Sequence, residues 1–124
     1  MIDLYSIIVI LFCHWVFDFH LQNDETSKKK SSCNYILLKH VGIYSIGLWV
    51  MGLATIWYFK VYGTVWLFIM WNAIIHFSTD WVTSRATSAL YKEERYHDLF
   101  VTIGAGQLVH YITLFGTFIW LTNL

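Results

Sequence analysis

The chain has 124 residues, of which 57% are hydrophobic, 19% aromatic and only 13% charged, with eight basic residues balancing eight acidic ones. A chain this apolar reads as an integral membrane protein rather than a soluble domain. Zero net charge and the lack of a long basic run argue against nucleic acid as the main partner.

Four apolar segments follow one another, at residues 2–21, 35–58, 64–90 and 99–121. Each is close to the roughly 20 residues needed to cross the hydrocarbon core. The expected fold class is therefore all-α, a four-transmembrane-helix bundle forming a single integral membrane domain over residues 1–124.

The first segment opens on Asp3 rather than on basic residues and has no small-residue cleavage site. It is expected to remain in the protein instead of acting as a cleaved signal. Its second half reads His14-Trp15-Val16-Phe17-Asp18-Phe19-His20-Leu21-Gln22. A helix advances about 100° per residue, so His14, Asp18 and Gln22 drift by only about 40° per step and share one face. His20 points elsewhere and is expected at the membrane interface, as is His97. Cys13 and Cys33 have no paired spacing and predict two free thiols.

The first connection, residues 23–34, is polar and carries Lys28, Lys29 and Lys30, read as an inside-positive loop able to touch anionic headgroups. The second segment carries His40 near its start. A tight turn around Lys60 to Gly63 leads to the third, where His76-Phe77-Ser78-Thr79-Asp80 repeats the His-x-x-x-Asp form, and Thr83, Ser84, Thr87 and Ser88 extend its polar face. After the charged stretch from Tyr91 to Asp98, the fourth segment carries Gln107 and His110. Gly47, Gly104, Gly106 and Gly116 are expected to permit close helix contact.

Lys28, Lys29, Lys30, Lys39, Arg85, Lys92 and Arg95 fall on the side of the first and third connections, and only Lys60 on the other. That side should be cytoplasmic, which places a multi-pass protein in the inner (cytoplasmic) membrane with both termini outside. Tyr35, Trp57, Tyr58, Tyr62, Trp66, Tyr91 and Trp120 lie near segment ends, as expected of interfacial rings.

With this topology His14, Asp18, His40, His76, Asp80 and His110 all fall in the cytoplasmic half. Each buried carboxylate costs about 2.5–3.5 kcal/mol on insertion scales, so six titratable groups at one depth require a reason. His14, Asp18 and His40 on one hairpin and His76, Asp80 and His110 on the other suggest two parallel helical-hairpin repeats. Imidazole with carboxylate suits a divalent transition metal, Zn first and Mn or Fe as alternatives. All six are expected as metal ligands, with Asp18 and Asp80 also catalytic and with Gln22, Asn72, Arg85 and Gln107 binding substrate. The expected activity is metal-dependent hydrolysis of an amphiphilic substrate within the lipid bilayer. The competing class is a non-enzymatic membrane protein: a proton or ion pathway, or a phage or host membrane interaction factor that pairs with a membrane protein and whose polar core only pairs helices.

These residues also carry a resemblance. The early His14-x-x-x-Asp18-Phe19-x-x-Gln22, the His40 opening the second helix, His76-x-x-x-Asp80 and the late Gln107-x-x-His110 together resemble domain of unknown function 3307, a family of small bacterial and phage membrane proteins. The similarity covers nearly the entire chain. It implies the architecture and the polar set, and no activity. Family members usually carry Asp where this chain has Gly106, which counts against a second metal or an acid-base role at that position.

Overall fold

The computed structural model describes residues 2–124; Met1, part of the expected domain, lies outside them. Asp3 starts the first helix: its carboxylate accepts from the Ser6 backbone N–H at 2.8 Å, and α1 runs over Leu4–His14. The helix then widens. Over Trp15–His20 it becomes a π-helix, and Leu21 N–H donates to the Val16 carbonyl, five residues back, at 2.9 Å. Such wide turns are rare and concentrate at functional sites. Asp18 is the one buried residue of this turn.

The first connection holds more structure than its polarity suggested. Asn23 accepts from Thr26 N–H at 2.8 Å and caps a short helix, α2, over Asp24–Lys29. Acidic residues fill its first turn and lysines its last, the arrangement that the helix dipole favours. Lys29 donates to Glu25 at 2.9 Å and holds that exposed carboxyl below its usual range.

Helix α3 covers Asn34–Ala54, shorter than the expected 35–58 because the chain tightens into a 3-10 turn at Ile56–Tyr58. Helix α4, Gly63–Lys92, and helix α5, Tyr96–Thr122, both extend past the apolar runs that announced them. The charged stretch between them shrinks to Glu93–Arg95. Glu94 takes a positive φ of 57°, while its N–H and that of Arg95 return to the carbonyls of Tyr91 and Leu90. This closes α4 with a Schellman motif on a residue other than glycine.

Contacts fix the directions. Along α4, Asn72 meets Thr117, His76 meets His110 and Thr83 meets Gly106, so α4 and α5 are antiparallel. Trp49 with Trp66, and His40 with Asp80, establish the same for α3 and α4. Tyr5 with Ala54, and Asp18 with His40, do so for α1 and α3. Gly47 makes the last crossing close: a Cβ there would lie 2.6 Å from Phe17 Cγ. Gly106 faces Thr83, whereas Gly104 and Gly116 have open space where a Cβ would stand, so close contact is a property of two of the four expected glycines.

The described residues are all-helical, without a strand. Two helices, Asn34–Ala54 and Tyr96–Thr122, are long and apolar enough to cross a membrane. The first apolar helix, Leu4–His20, is shorter, and α4 is interrupted by Asn72, His76, Asp80 and Arg85. The burial pattern is inverted relative to a water-soluble domain. Leu4, Phe12, Trp66, Phe100 and Ile112 are each more than 60% exposed, while His14, His40 and His76 are at most 1% exposed. Half of the interior is apolar, built from Ile10, Leu48, Met51, Phe68, Leu114 and Phe118. The polar site occupies the other half.

Candidate metal centre

Three elements deliver four polar groups to a single point. The π-turn brings Asp18, α3 brings His40, and α4 brings His76 and Asp80 on one face a turn apart. His40 Nε2 lies 3.0 Å from Asp18 Oδ1, 3.3 Å from Asp80 Oδ2 and 3.3 Å from His76 Nε2. His76 Nε2 lies 3.4 Å from Asp18 Oδ1 and 3.8 Å from Asp80 Oδ2. All four ligand atoms lie within 4.8 Å of one another.

Hydrogen bonding alone satisfies this arrangement poorly. Carboxylate oxygens only accept, so each imidazole contact with them needs a proton on Nε2. Protons on both nitrogens would then be directed at each other across 3.3 Å. A cation among the four atoms removes the conflict. Metal–ligand bonds of about 2.0–2.2 Å in a tetrahedron require ligand atoms about 3.3–3.6 Å apart, and the five separations of 3.0–3.8 Å bracket that range. Two carboxylates also match the charge of a divalent ion, which matters where little water can screen them. The residues fit such an ion.

The remaining two expected ligands stand one layer out. His110 Nε2 lies 3.2 Å from Asp80 Oδ1, and His14 Nε2 lies 3.6 Å from Asp18 Oδ2 while donating to Gln107 Oε1 at 2.8 Å. Each therefore approaches the carboxylate oxygen turned away from the centre. This differs from a simple repeat. His14 corresponds to His76 and His40 to His110 in the two hairpins, yet the centre takes one histidine from each hairpin at non-equivalent positions.

Metal-bound imidazoles usually donate their second ring nitrogen to a partner. Nδ1 of His76 has none. Its ring is held instead by Tyr44, stacked at 3.8 Å between centroids with planes 16° apart, and by His110 at 4.3 Å. Tyr44 was legible in the sequence as the residue one turn beyond His40 on the same face of α3, but a lone buried tyrosine carries no distinctive signal.

A cavity of about 620 Å³ opens against the carboxylate side of the centre. Asp18, Asp80 and His110 line it, as do Gln22 and Gln107. Lys30 reaches in from the end of α2, donating to Asp80 Oδ2 and to Gln22 Oε1 at 2.9 Å each. Sequence reading placed Lys30 with its neighbours as an inside-positive loop; only the capped turn of α2 turns it towards Asp80. The other two expected substrate residues go elsewhere. Asn72 is buried and ties α4 to α5 by donating to Thr117 Oγ1 at 2.8 Å. Arg85 donates to Asn34 Oδ1 and to the Trp81 carbonyl and lies over the Trp81 ring, outside the cavity lining. His20 stacks on Trp15 at the surface, His97 is exposed, and both cysteines are free.

The model of the family described as Protein of unknown function (DUF3307) matches residues 6–123. The chain belongs to this family. The match spans the centre and its outer partners, from His14 to His110, and bears out the resemblance carried by the His-x-x-x-Asp and Gln-x-x-His motifs. No curated protein and no solved structure matches the chain. The family description names no activity, so the chemistry rests on the geometry.

Proposed function

We propose that this protein is a four-span membrane protein holding one divalent transition ion, Zn before Mn or Fe, and that it is a metal-dependent hydrolase of an amphiphilic substrate. The observation that carries the reading is the convergence of Asp18 Oδ1, His40 Nε2, His76 Nε2 and Asp80 Oδ2, with the five separations that involve a histidine at 3.0–3.8 Å. Those four residues would hold the ion. When bound, it supplies an acidified water and polarises a phosphoryl or carbonyl oxygen. The chain's own groups prepare the rest: His110 orients Asp80, and Gln107 orients His14 beside Asp18.

Membrane insertion is supported by the inverted burial pattern. Aromatic residues add to it. Trp57, Tyr62, Trp66 and Trp120 are exposed towards one end of the bundle, Tyr35 and Tyr91 towards the other, as rings at two interfaces would be. With the lysine-bearing connections cytoplasmic, the centre lies in the inner half of the membrane, its cavity opens inwards and both termini face out. A transmembrane proton pathway fits less well, because the apolar half of the interior leaves the titratable groups without continuation beyond Tyr44 and Asn72.

The test is metal content by mass spectrometry on protein purified in mild detergent, for the wild type and for the double variant His76→Ala with Asp80→Ala. Near-stoichiometric metal that the variant lacks is the expected result. Hydrolysis of alkyl esters or phosphomonoesters should then stop on adding a chelator. Well-folded wild type that takes up no Zn, Mn or Fe on reconstitution would overturn the reading.

A further inference from the structure

The cavity beside the centre has a composition that the metal does not explain. Away from Asp18 and Asp80 its lining includes Lys28, Lys30, Ser27, Ser31, Ser84 and Thr87 beside the apolar Phe19, Leu99 and Ile103. Lys30 Nζ has three protons and uses two, on Asp80 and Gln22, which leaves one for an acceptor in the cavity. Ser84 is only 7% exposed and its hydroxyl has no hydrogen-bond partner. A buried hydroxyl without a partner costs about 1–3 kcal/mol, which a ligand accepting from it would recover.

A second space lies against the chamber. A second hollow of about 390 Å³ lies between α4 and α5, bounded by Val82, Val101, Ala105 and Val109. Thr83 and Gly106 line both spaces, so the apolar hollow adjoins the chamber across these two residues. Gly106 stands at the junction, where even a Cβ would approach Thr83 Cγ2 to 3.2 Å. Val82, Val101, Ala105 and Val109 are exposed, so the hollow opens onto the apolar outer surface.

We propose that the chamber and the hollow form one bipartite site for a phosphate-bearing, single-chain amphiphile. The phosphate sits among Lys28, Lys30 and Ser84, and the alkyl chain leaves past Gly106 between Val82 and Ala105. Charge selects phosphate over a neutral ester. Once a divalent ion offsets Asp18 and Asp80, the two lysines leave the chamber with two positive charges, the complement of a phosphomonoester dianion. The Ser84 hydroxyl, whose proton has no other partner, adds a donor beside the two ammonium groups. The proposal rests on the metal-hydrolase reading for what happens to the substrate, and names its class.

Dodecylphosphonate is the probe, because its carbon–phosphorus bond resists hydrolysis. Its binding to the full chain in neutral detergent is compared with that of methylphosphonate and of dodecanol, and metal is measured in the same samples. Dodecylphosphonate is expected to bind about tenfold or more tightly than either fragment, each of which fills only half of the site. Lys30→Ala is expected to lower its affinity about tenfold towards that of dodecanol, and Lys30→Arg to restore most of it. Ala105→Trp should weaken dodecylphosphonate and leave methylphosphonate unchanged. Ser84→Ala, a smaller change, should show a loss of several-fold if Lys30→Ala does not fold.

Equal binding of methylphosphonate would replace the amphiphile by a soluble anion, and equal binding of dodecanol would reduce the site to an apolar groove. Unchanged affinity in Ser84→Ala and Ala105→Trp would place the binding elsewhere. Each of these outcomes overturns the proposal. Metal without probe binding overturns this site and leaves the hydrolase reading standing, whereas probe binding by protein that takes up no metal removes the hydrolase reading and shows that Lys28 and Lys30 hold the phosphonate without an ion to offset Asp18 and Asp80.

Discussion

His40 Nε2 and His76 Nε2, on adjacent antiparallel helices, face each other at 3.3 Å with Asp18 Oδ1 within 3.4 Å of both. Two imidazole nitrogens come this close either by sharing one proton or by sharing one cation. The carboxylate oxygens around them favour the cation, because they compete for any proton that either ring offers.

This relationship separates the histidines by role. In the proposed centre His40 and His76 are the inner imidazoles, so His40→Ala and His76→Ala should each abolish stoichiometric metal binding. His14→Ala and His110→Ala remove only partners of the outer carboxylate oxygens and should weaken metal by about 10- to 100-fold. A metal titration with a competing chelator, run on all four variants, reads the difference. Equal loss in all four would instead mean that His14 and His110 ligate directly.

Lys30 should have the opposite effect on the proposed ion. Its ammonium holds Asp80 Oδ2, the same oxygen that points at His40. A positive charge at that distance repels a dication by a few kcal/mol even at an effective dielectric of about 20. Lys30→Met should therefore raise metal affinity by about tenfold or more, measured with the same chelator. A fall in affinity would show that Lys30 is needed to position Asp80.

Gly47 ties helix packing to the centre through Phe17, the neighbour of Asp18 in the π-turn. Gly47→Ala places a methyl 2.6–2.8 Å from three carbons of Phe17, none at the flexible end of a long side chain. Overpacking of this kind costs about 1–3 kcal/mol, and the displaced turn should take Asp18 with it. A lower melting temperature in detergent together with reduced metal content is expected. Gly116→Ala, with open space at its Cβ position, should change neither.

Asn72 lies one turn from His76 on the same face of α4, but its amide is spent on Thr117 and on the Phe68 carbonyl. Asn72→Ala should lose about 0.6–1.7 kcal/mol of stability, the range for hydrogen bonds between membrane helices, and retain full metal content. Thermal unfolding and metal analysis on the same sample check both halves of that statement. Loss of metal would move Asn72 into the centre.

The sequence by itself determined the helical class, the family and the identity of the polar groups. These depend on local quantities: the length of apolar runs, the 3.6-residue period that aligns His76 with Asp80, and motif spacing along one chain. It also placed His14, Asp18, His40, His76, Asp80 and His110 at a similar level along their helices, since level along a helix follows from residue number. Which of the six meet at one point is a different kind of quantity. It depends on the rotation of each helix about its axis, set by contacts such as Phe17 on Gly47 and Asn72 on Thr117, and on a π-turn whose wider ladder no period in the sequence announces. Only the tertiary structure could put His40 with His76, place His14 and His110 behind the carboxylates, bring Lys30 from a short polar helix onto Asp80, and send Arg85 outside to Trp81 and Asn34. Long side chains on helix ends and connections can reach several partners, and packing decides among them.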